Sequence, residues 1–299
     1  MSILVKACRK WDVFTNCGVR HSLDVPTSTM LMDQTAYITA LKPIVHPALS
    51  GASPEDPLEG ELYTMFRSLL GAIAWCNMTR CDIMVYVVAL QRQAHKPRVI
   101  HARRLNAVVR YAQRNPRAIR YAPMKRRHHG TPFQSGDPRI LVVSDSSFKK
   151  EDDDGHAMKG VFILLVCGGT GGVISDVIHI LDYAARKQQH VTRSTFAAEL
   201  FSACDGVDHG LLVTITLHEI ERGCRGAAEA RRLREEGGLA SRMWLCIDAM
   251  SVLAAMSAEA VRAPAEKSLV GHVLWLRELA DRGILTGAAW VDTRDMLSD

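Results

Sequence analysis

RILVVSD (residues 139–145) is a short, nearly continuous apolar run that closes on an acid. A run of this length, rich in valine and isoleucine, predicts a central strand buried on both faces. Working outward, the acidic loop EDDD (residues 151–154) separates it from MKGVFILLV (residues 158–166), a second strand. GGTGG (residues 168–172) then supplies a turn into VISDVIHIL (residues 173–181), a third. Three consecutive strands with short connections predict an antiparallel meander. A long helix follows over residues 194–222, with Ser194 or Thr195 as its N-cap. Residues 227–238, dense in Glu and Arg, read as an exposed helix or insertion. A strand over residues 243–247, helices near 249–258 and 265–282, and a last strand over 284–291 complete the chain. The order β-β-β-α-β-α-α-β predicts an α/β unit, a mixed five-stranded sheet with helices packed on it.

Upstream of residue 139 the character differs. The first sixty residues are weakly patterned: MDQTAYITALKPI (residues 32–44) predicts a short helix, and Pro43, Pro47, Pro54 and Pro57 break regularity. From Glu59 onward Leu62, Met65, Phe66, Leu69, Leu70, Ile73 and Ala74 recur at helical spacing. Further helices are expected over residues 82–93 and 98–114, the last ended by Asn115-Pro116. YAPMKRRHHGTPFQSGDP (residues 121–138) reads as a basic linker. The expected organisation is a mostly helical segment over 1–122, a linker over 123–138 and an α/β domain over 139–299.

The formal charge of +5 hides an asymmetry. Residues 92–129 hold 12 Lys+Arg and no acid, and outside them 25 basic residues face 32 acidic ones. A cationic segment on an otherwise acidic chain points to a polyanionic partner, with Arg103, Arg104, Arg110 and Arg114 on the third helix as candidate contacts. Apolar runs fall short of the roughly 20 residues of a membrane span, and no secretory signal is evident. The expectation is therefore an intracellular protein, in cytoplasm or nucleus. The eight cysteines have no metal-ligand spacing and read as reduced, mostly buried thiols. His218-Glu219 lacks the second histidine of a zinc-protease helix, since Arg222 stands in its place.

Four acids fall where apolar elements end or cross. Asp145 ends the first strand, and Glu199 sits inside the apolar stretch FAAELFSA (residues 196–203). Asp248 ends WLCID (residues 244–248), and Asp299 closes WVDTRDMLSD (residues 290–299). Each alone also fits a turn, a cap or an ion pair. Adjacent parallel strands would bring Asp145 and Asp248 together, and a crossing helix would add Glu199. Converging carboxylates cannot all stay ionised without cations. Hard divalent ions are the natural counter-charge, Mg²⁺ first among them, and two such ions form the clamp used on phosphodiesters.

LVVSDSSF (residues 141–148), ARKQQHVTRSTFAAEL (185–200), WLCIDAMSV (244–252) and GAAWVDTRDMLSD (287–299) resemble successive blocks of the ribonuclease H domain in copia-type LTR retrotransposon Pol polyproteins. FTNCGVRH (14–21), MDQTAYITALKPI (32–44), the long block over residues 63–93 and LNAVVRYAQ (105–113) resemble the region between polymerase palm and ribonuclease H. The resemblance implies a ribonuclease H fold preceded by a truncated, thumb- or connection-like polymerase tail. It implies that Asp145, Glu199, Asp248 and Asp299 are the catalytic, metal-holding set, with two Mg²⁺ ions (Mn²⁺ as an alternative). One ion would activate water and the other stabilise the leaving 3′-oxygen. The implied partner is an RNA–DNA hybrid, with Lys187, Gln188 and Arg193 as backbone contacts and no small-molecule cofactor.

The chain also departs from that family. It has no aromatic-x-Asp-Asp turn, so polymerase activity is not expected, and residues 284–299 hold no histidine before the final acid. The family continues into a closing helix beyond the position matching Asp299, so fraying of that acid is expected. Two functions follow: a metal-dependent hybrid ribonuclease, or an inactive nucleic-acid-binding remnant.

Overall fold

The computed structural model describes residues 13–124, 138–147, 156–168, 174–223, 226–259 and 266–297. The chain divides into two compact units, Met1–Pro123 and Met124–Asp299. The expectations for the basic cluster at residues 125–129, the EDDD loop and most of the glycine turn fall outside the described residues.

The first unit adds a sheet to its helices. Strands β1 (Val13–Asn16), β2 (Val19–Asp24) and β3 (Thr29–Asp33) form an antiparallel meander, and β4 (Ile119–Tyr121) pairs with β3. The short helix expected over residues 32–44 shrinks to α1 (Thr35–Ala40). Between β1 and β2, Cys17 and Gly18 both take positive φ (49° and 76°), the two-residue turn that matches the right-handed twist of the flanking strands. Cysteine is not a residue that announces such a turn. β1 is exposed along its whole length, so it shows no apolar alternation either.

A short helix α2 (Ala48–Gly51), not expected among the prolines, precedes α3 (Gly60–Trp75), α4 (Cys81–Arg92) and α5 (Val99–Arg114), which lie close to their expected spans. The last three pack around Phe66, Ile73, Val87, Leu105 and Val109. The buried Arg80 guanidinium donates to Asp82 at 2.8 and 2.9 Å and to the Ala112 carbonyl at 3.1 Å, tying the start of α4 to the end of α5. A buried charge with its donors met in this way is tolerated where a bare one would not be.

The second unit is built on a five-stranded sheet of β5 (Pro138–Ser147), β6 (Met158–Gly168), β7 (Ile174–Lys187), β8 (Arg242–Ile247) and β9 (Leu285–Trp290). The order is β7-β6-β5-β8-β9, with β5, β6 and β7 antiparallel and β8 and β9 parallel to β5. This is the mixed five-stranded sheet expected from the sequence and implied by the ribonuclease H resemblance. The central β5 is buried on both faces, Ile140 and Val142 toward one core, Leu141 and Val143 toward the other, which is why its sequence is continuously apolar. β7 runs six residues past the expected end, as an edge strand whose later residues are partly exposed and carry little apolar signal. Helices α6 (Thr195–Arg222), α8 (Met250–Ser257) and α9 (Val270–Asp281) supply the first core, and α7 (Ala227–Glu236) buries only Leu233.

By length and hydropathy α6 is long and apolar enough to cross a bilayer; half of that stretch is buried inside the unit. Cys17, Cys76, Cys81, Cys204 and Cys246 are free thiols. Burial pushes Cys204 up to about 12 and Cys76 and Cys246 up to about 11, so these three stay protonated and unreactive near neutral pH.

Helix α6 approaches β5 through glycines. A Cβ at Gly206 would lie 3.2 Å from Val142 Cγ1, and one at Gly210 would collide with Val142 Cγ2 and lie 3.2 Å from Met243 Sδ. Gly71, on α3, faces open space. We expect Gly210→Ala to cost about 1–3 kcal/mol through overpacking. Gly71→Ala should instead gain roughly 0.5–1 kcal/mol through lower unfolded-state entropy. Urea unfolding of the two variants checks both signs.

Candidate metal centre

The parallel register of β5 and β8 pairs Val143 with Cys246. Two residues further along each chain stand Asp145 and Asp248, at the carboxyl ends of neighbouring strands, where open sheets place their ligands. Helix α6 runs antiparallel to β5 on a face of small residues. Gly210 lies over Val142, Gly206 over Val142 and Ser144, and Ser202 reaches the Asp145 backbone. Continuing one turn toward the N-terminus brings Glu199, on the same helix face, to the level of the two aspartates.

Carboxylate oxygens of Asp145, Glu199 and Asp248 all lie within 4.8 Å of one another. Asp145 and Glu199 are each only 8% exposed, and Asp248 is half-buried. The Ser144 hydroxyl lies 2.8 Å from Ser202 Oγ, and Ser202 Oγ donates to the Asp145 carbonyl at 2.8 Å. Thr293 Oγ1 donates to Asp248 Oδ2 at 2.8 Å, and Trp290 Nε1 donates to the Asp248 carbonyl at 3.0 Å. Ser202 and Thr293 were not among the sequence candidates. Ser202 stands three residues after Glu199 on one helix face, a spacing that would have found it.

Three carboxylates at this separation repel by on the order of 3 kcal/mol per ionised pair at an effective dielectric of about 20. The donor set is all hard oxygen, without sulfur or imidazole, and it converges from three elements. That chemistry fits a hard divalent cation such as Mg²⁺ and does not suit zinc or copper. Asp299, the fourth acid of the expected set, lies outside the described residues. The nearby Asp292 is committed elsewhere: its oxygens accept from the Arg294 backbone and guanidinium at 2.9–3.0 Å.

The other candidates separate into exposed and enclosed groups. Lys187 ends β7 half-buried, and Arg193 is exposed just before α6. Gln188 is corrected: it is only 2% exposed, and its amide donates to Ser146 Oγ at 3.1 Å and to the Ala198 carbonyl at 2.6 Å. On α5, half-buried Arg103 has its Nη2 turned inward, donating to the Leu49 and Ala52 carbonyls at 2.8 and 2.9 Å. Arg104, Arg110 and Arg114 are exposed there and share a helix face with the exposed ring of Tyr111, an aromatic among cations that composition alone did not single out.

No protein-family profile matches the chain. It is 24% identical over 188 residues to the retrovirus-related Pol polyprotein from transposon RE1 of Arabidopsis thaliana. The match takes in 62% of this chain but only 11% of that relative's length. Solved structures that resemble it include the N-terminal RNase H domain of a Mycobacterium tuberculosis protein, at 14% identity and a TM-score of 0.33 over 54% of this chain and 86% of that one. RNase H1 of the halophilic archaeon Halobacterium salinarum follows at 12% identity and 0.31, over 54% and 90%. LC11-RNase H1 in complex with an RNA/DNA hybrid follows at 10% and 0.30, over 53% and 89%. The strand order of the second unit stands independently of these distant superpositions. Over that stretch the chain is similar to a retrovirus-related transposon Pol polyprotein, and its second unit has the mixed five-stranded order expected of a ribonuclease H-like sheet.

Proposed function

We propose that the second unit is a copia-type ribonuclease H that hydrolyses the RNA strand of RNA–DNA hybrids. The observation that carries this reading is the convergence of Asp145, Glu199 and Asp248 within 4.8 Å at the carboxyl edge of the sheet. Asp299 is the proposed fourth member of the catalytic and metal-holding set. Bound among these acids, two Mg²⁺ ions would neutralise them and activate water for in-line attack on a phosphodiester. The chain's own part is to hold the carboxylates. Ser202 holds the Asp145 backbone, and Thr293 donates to one oxygen of Asp248, whose carboxylate would help hold the cation.

Recognition of a hybrid would rest on helix shape and 2′-hydroxyls more than on sequence. Lys187 and Arg193 are the proposed contacts beside the acids. In the first unit, read as the end of a reverse-transcriptase region without polymerase activity, the Arg104–Arg110–Arg114 face with Tyr111 is the proposed phosphate-binding surface. The proposed setting is cytoplasm or nucleus, where such hybrids arise.

Two experiments test this. A labelled hybrid incubated with the full chain and Mg²⁺ should be cut in its RNA strand. Cleavage should stop with EDTA and fall to background in Asp145→Asn, whereas undiminished cleavage by that variant removes these acids from the mechanism. Salt-dependent binding without cleavage by the wild type assigns the chain to the inactive remnant instead. Charge reversal at both Arg110 and Arg114 should lower the slope of log affinity against log salt by about 2. An unchanged slope removes α5 from the interface.

A further inference from the structure

Between the strand that carries Asp145 and the helix that carries Glu199 lies a buried amide. Gln188 immediately follows β7 and is 2% exposed. One Nε2 hydrogen goes to Ser146 Oγ at 3.1 Å, on the residue after Asp145. The other goes to the Ala198 carbonyl at 2.6 Å, on the residue before Glu199. The Ser146 hydroxyl in turn donates to the Met158 carbonyl at the start of β6 (3.2 Å), so the strand end is held from two sides.

The Gln188 backbone is pinned as well: its N–H donates to the Ala157 carbonyl at 2.8 Å, and its carbonyl accepts from His156 Nδ1 at 2.9 Å. One helical turn further along α6, Ser144 and Ser202 link the same two elements. The glycine contacts that bring α6 onto β5 are apolar and non-directional, so they set a distance but not a register. Directional bonds beside the two acids set the register, and metal sites depend on such supporting shells to within fractions of an ångström.

We propose that Gln188 is a positioning residue for the metal centre, clamping β5 to α6 so that the Asp145 and Glu199 carboxylates present themselves together to the cation. This rests on reading the three acids as a metal site. Gln188 reaches neither cation nor hybrid itself; it acts through its neighbours.

The test uses the full chain with two variants. Gln188→Met keeps the length of the side chain and removes both donors, and Ser146→Ala removes only the strand-side partner. Each protein is taken through thermal unfolding without metal, Mn²⁺ titration followed by the EPR signal of the free ion, and steady-state cleavage of a hybrid in Mg²⁺. Both variants should fold, with a modestly lowered unfolding temperature from the lost buried hydrogen bonds. Mn²⁺ affinity should drop roughly tenfold in Gln188→Met and by less in Ser146→Ala. kcat should fall in parallel, with KM for the hybrid little changed.

A raised KM with wild-type Mn²⁺ affinity would make Gln188 a substrate contact and overturn the proposal. A lowered unfolding temperature with wild-type Mn²⁺ affinity would make it merely structural, with the same consequence. If Gln188→Met does not fold, wild-type Mn²⁺ affinity in Ser146→Ala overturns it. A wild-type chain that binds Mn²⁺ but leaves hybrids intact fails as a nuclease, yet the Mn²⁺ comparison still decides the clamp. A wild-type chain that binds no Mn²⁺ overturns both.

Discussion

Helix α6 lies close enough to β5 that Gly210 leaves no room for a side chain against Val142 and Gly206 leaves little. Much of the second unit follows from that approach. It lets the helix and strand share the core of Ile140, Val142, Ile163, Leu200 and Val207, and it brings the first turns of α6 close to the end of β5, where hydrogen bonds set their level. Glu199 meets Asp145 because glycines seven and eleven positions later seat the helix closely and the hydrogen bonds of Ser202 and Gln188 hold its register. Packing and chemistry thus share one contact, and a change at its far end would be felt as a displaced carboxylate.

The acid cluster runs against the folding of the unit that carries it. Burying Asp145 and Glu199 to 8% exposure within 4.8 Å of Asp248 adds repulsion and desolvation. The surrounding hydroxyls and amides answer this by fixing backbone and carboxylate positions. Ser202, Thr293 and Gln188 each come from a different element, so no single strand or helix holds the site in shape. Such a preorganised acidic pocket is a poor way to stabilise a fold and a good way to receive a hard cation.

The first unit carries the opposite charge for a different physical reason. One face of α5 builds the helical core through Ala102, Leu105, Val109 and Ala112, while Arg104, Arg110 and Arg114 remain outside. Arg103, between those faces, is drawn into hydrogen bonds with the α2 region instead. The acid-free stretch over residues 92–129 is therefore not uniformly a binding surface. Part of its charge is spent on internal structure, and only the solvent-facing part is available to a polyanion.

Strand and helix positions in the second unit were legible because each buried element carries its own period: unbroken apolar runs for β5 and β6, helical spacing with Ser194 as N-cap for α6. The meander of β1–β3 was not, because exposed strands and a Cys-Gly turn leave no periodic trace. By itself the sequence determined the order of elements, the asymmetry of charge and the placing of Asp145 and Asp248 at strand ends. Only the tertiary structure decided that these acids meet Glu199, that Gln188 and Arg103 turn inward, and that Thr293 returns to Asp248. Local pattern reports the environment a residue needs, whereas convergence depends on strand pairing and helix seating between residues far apart in the chain.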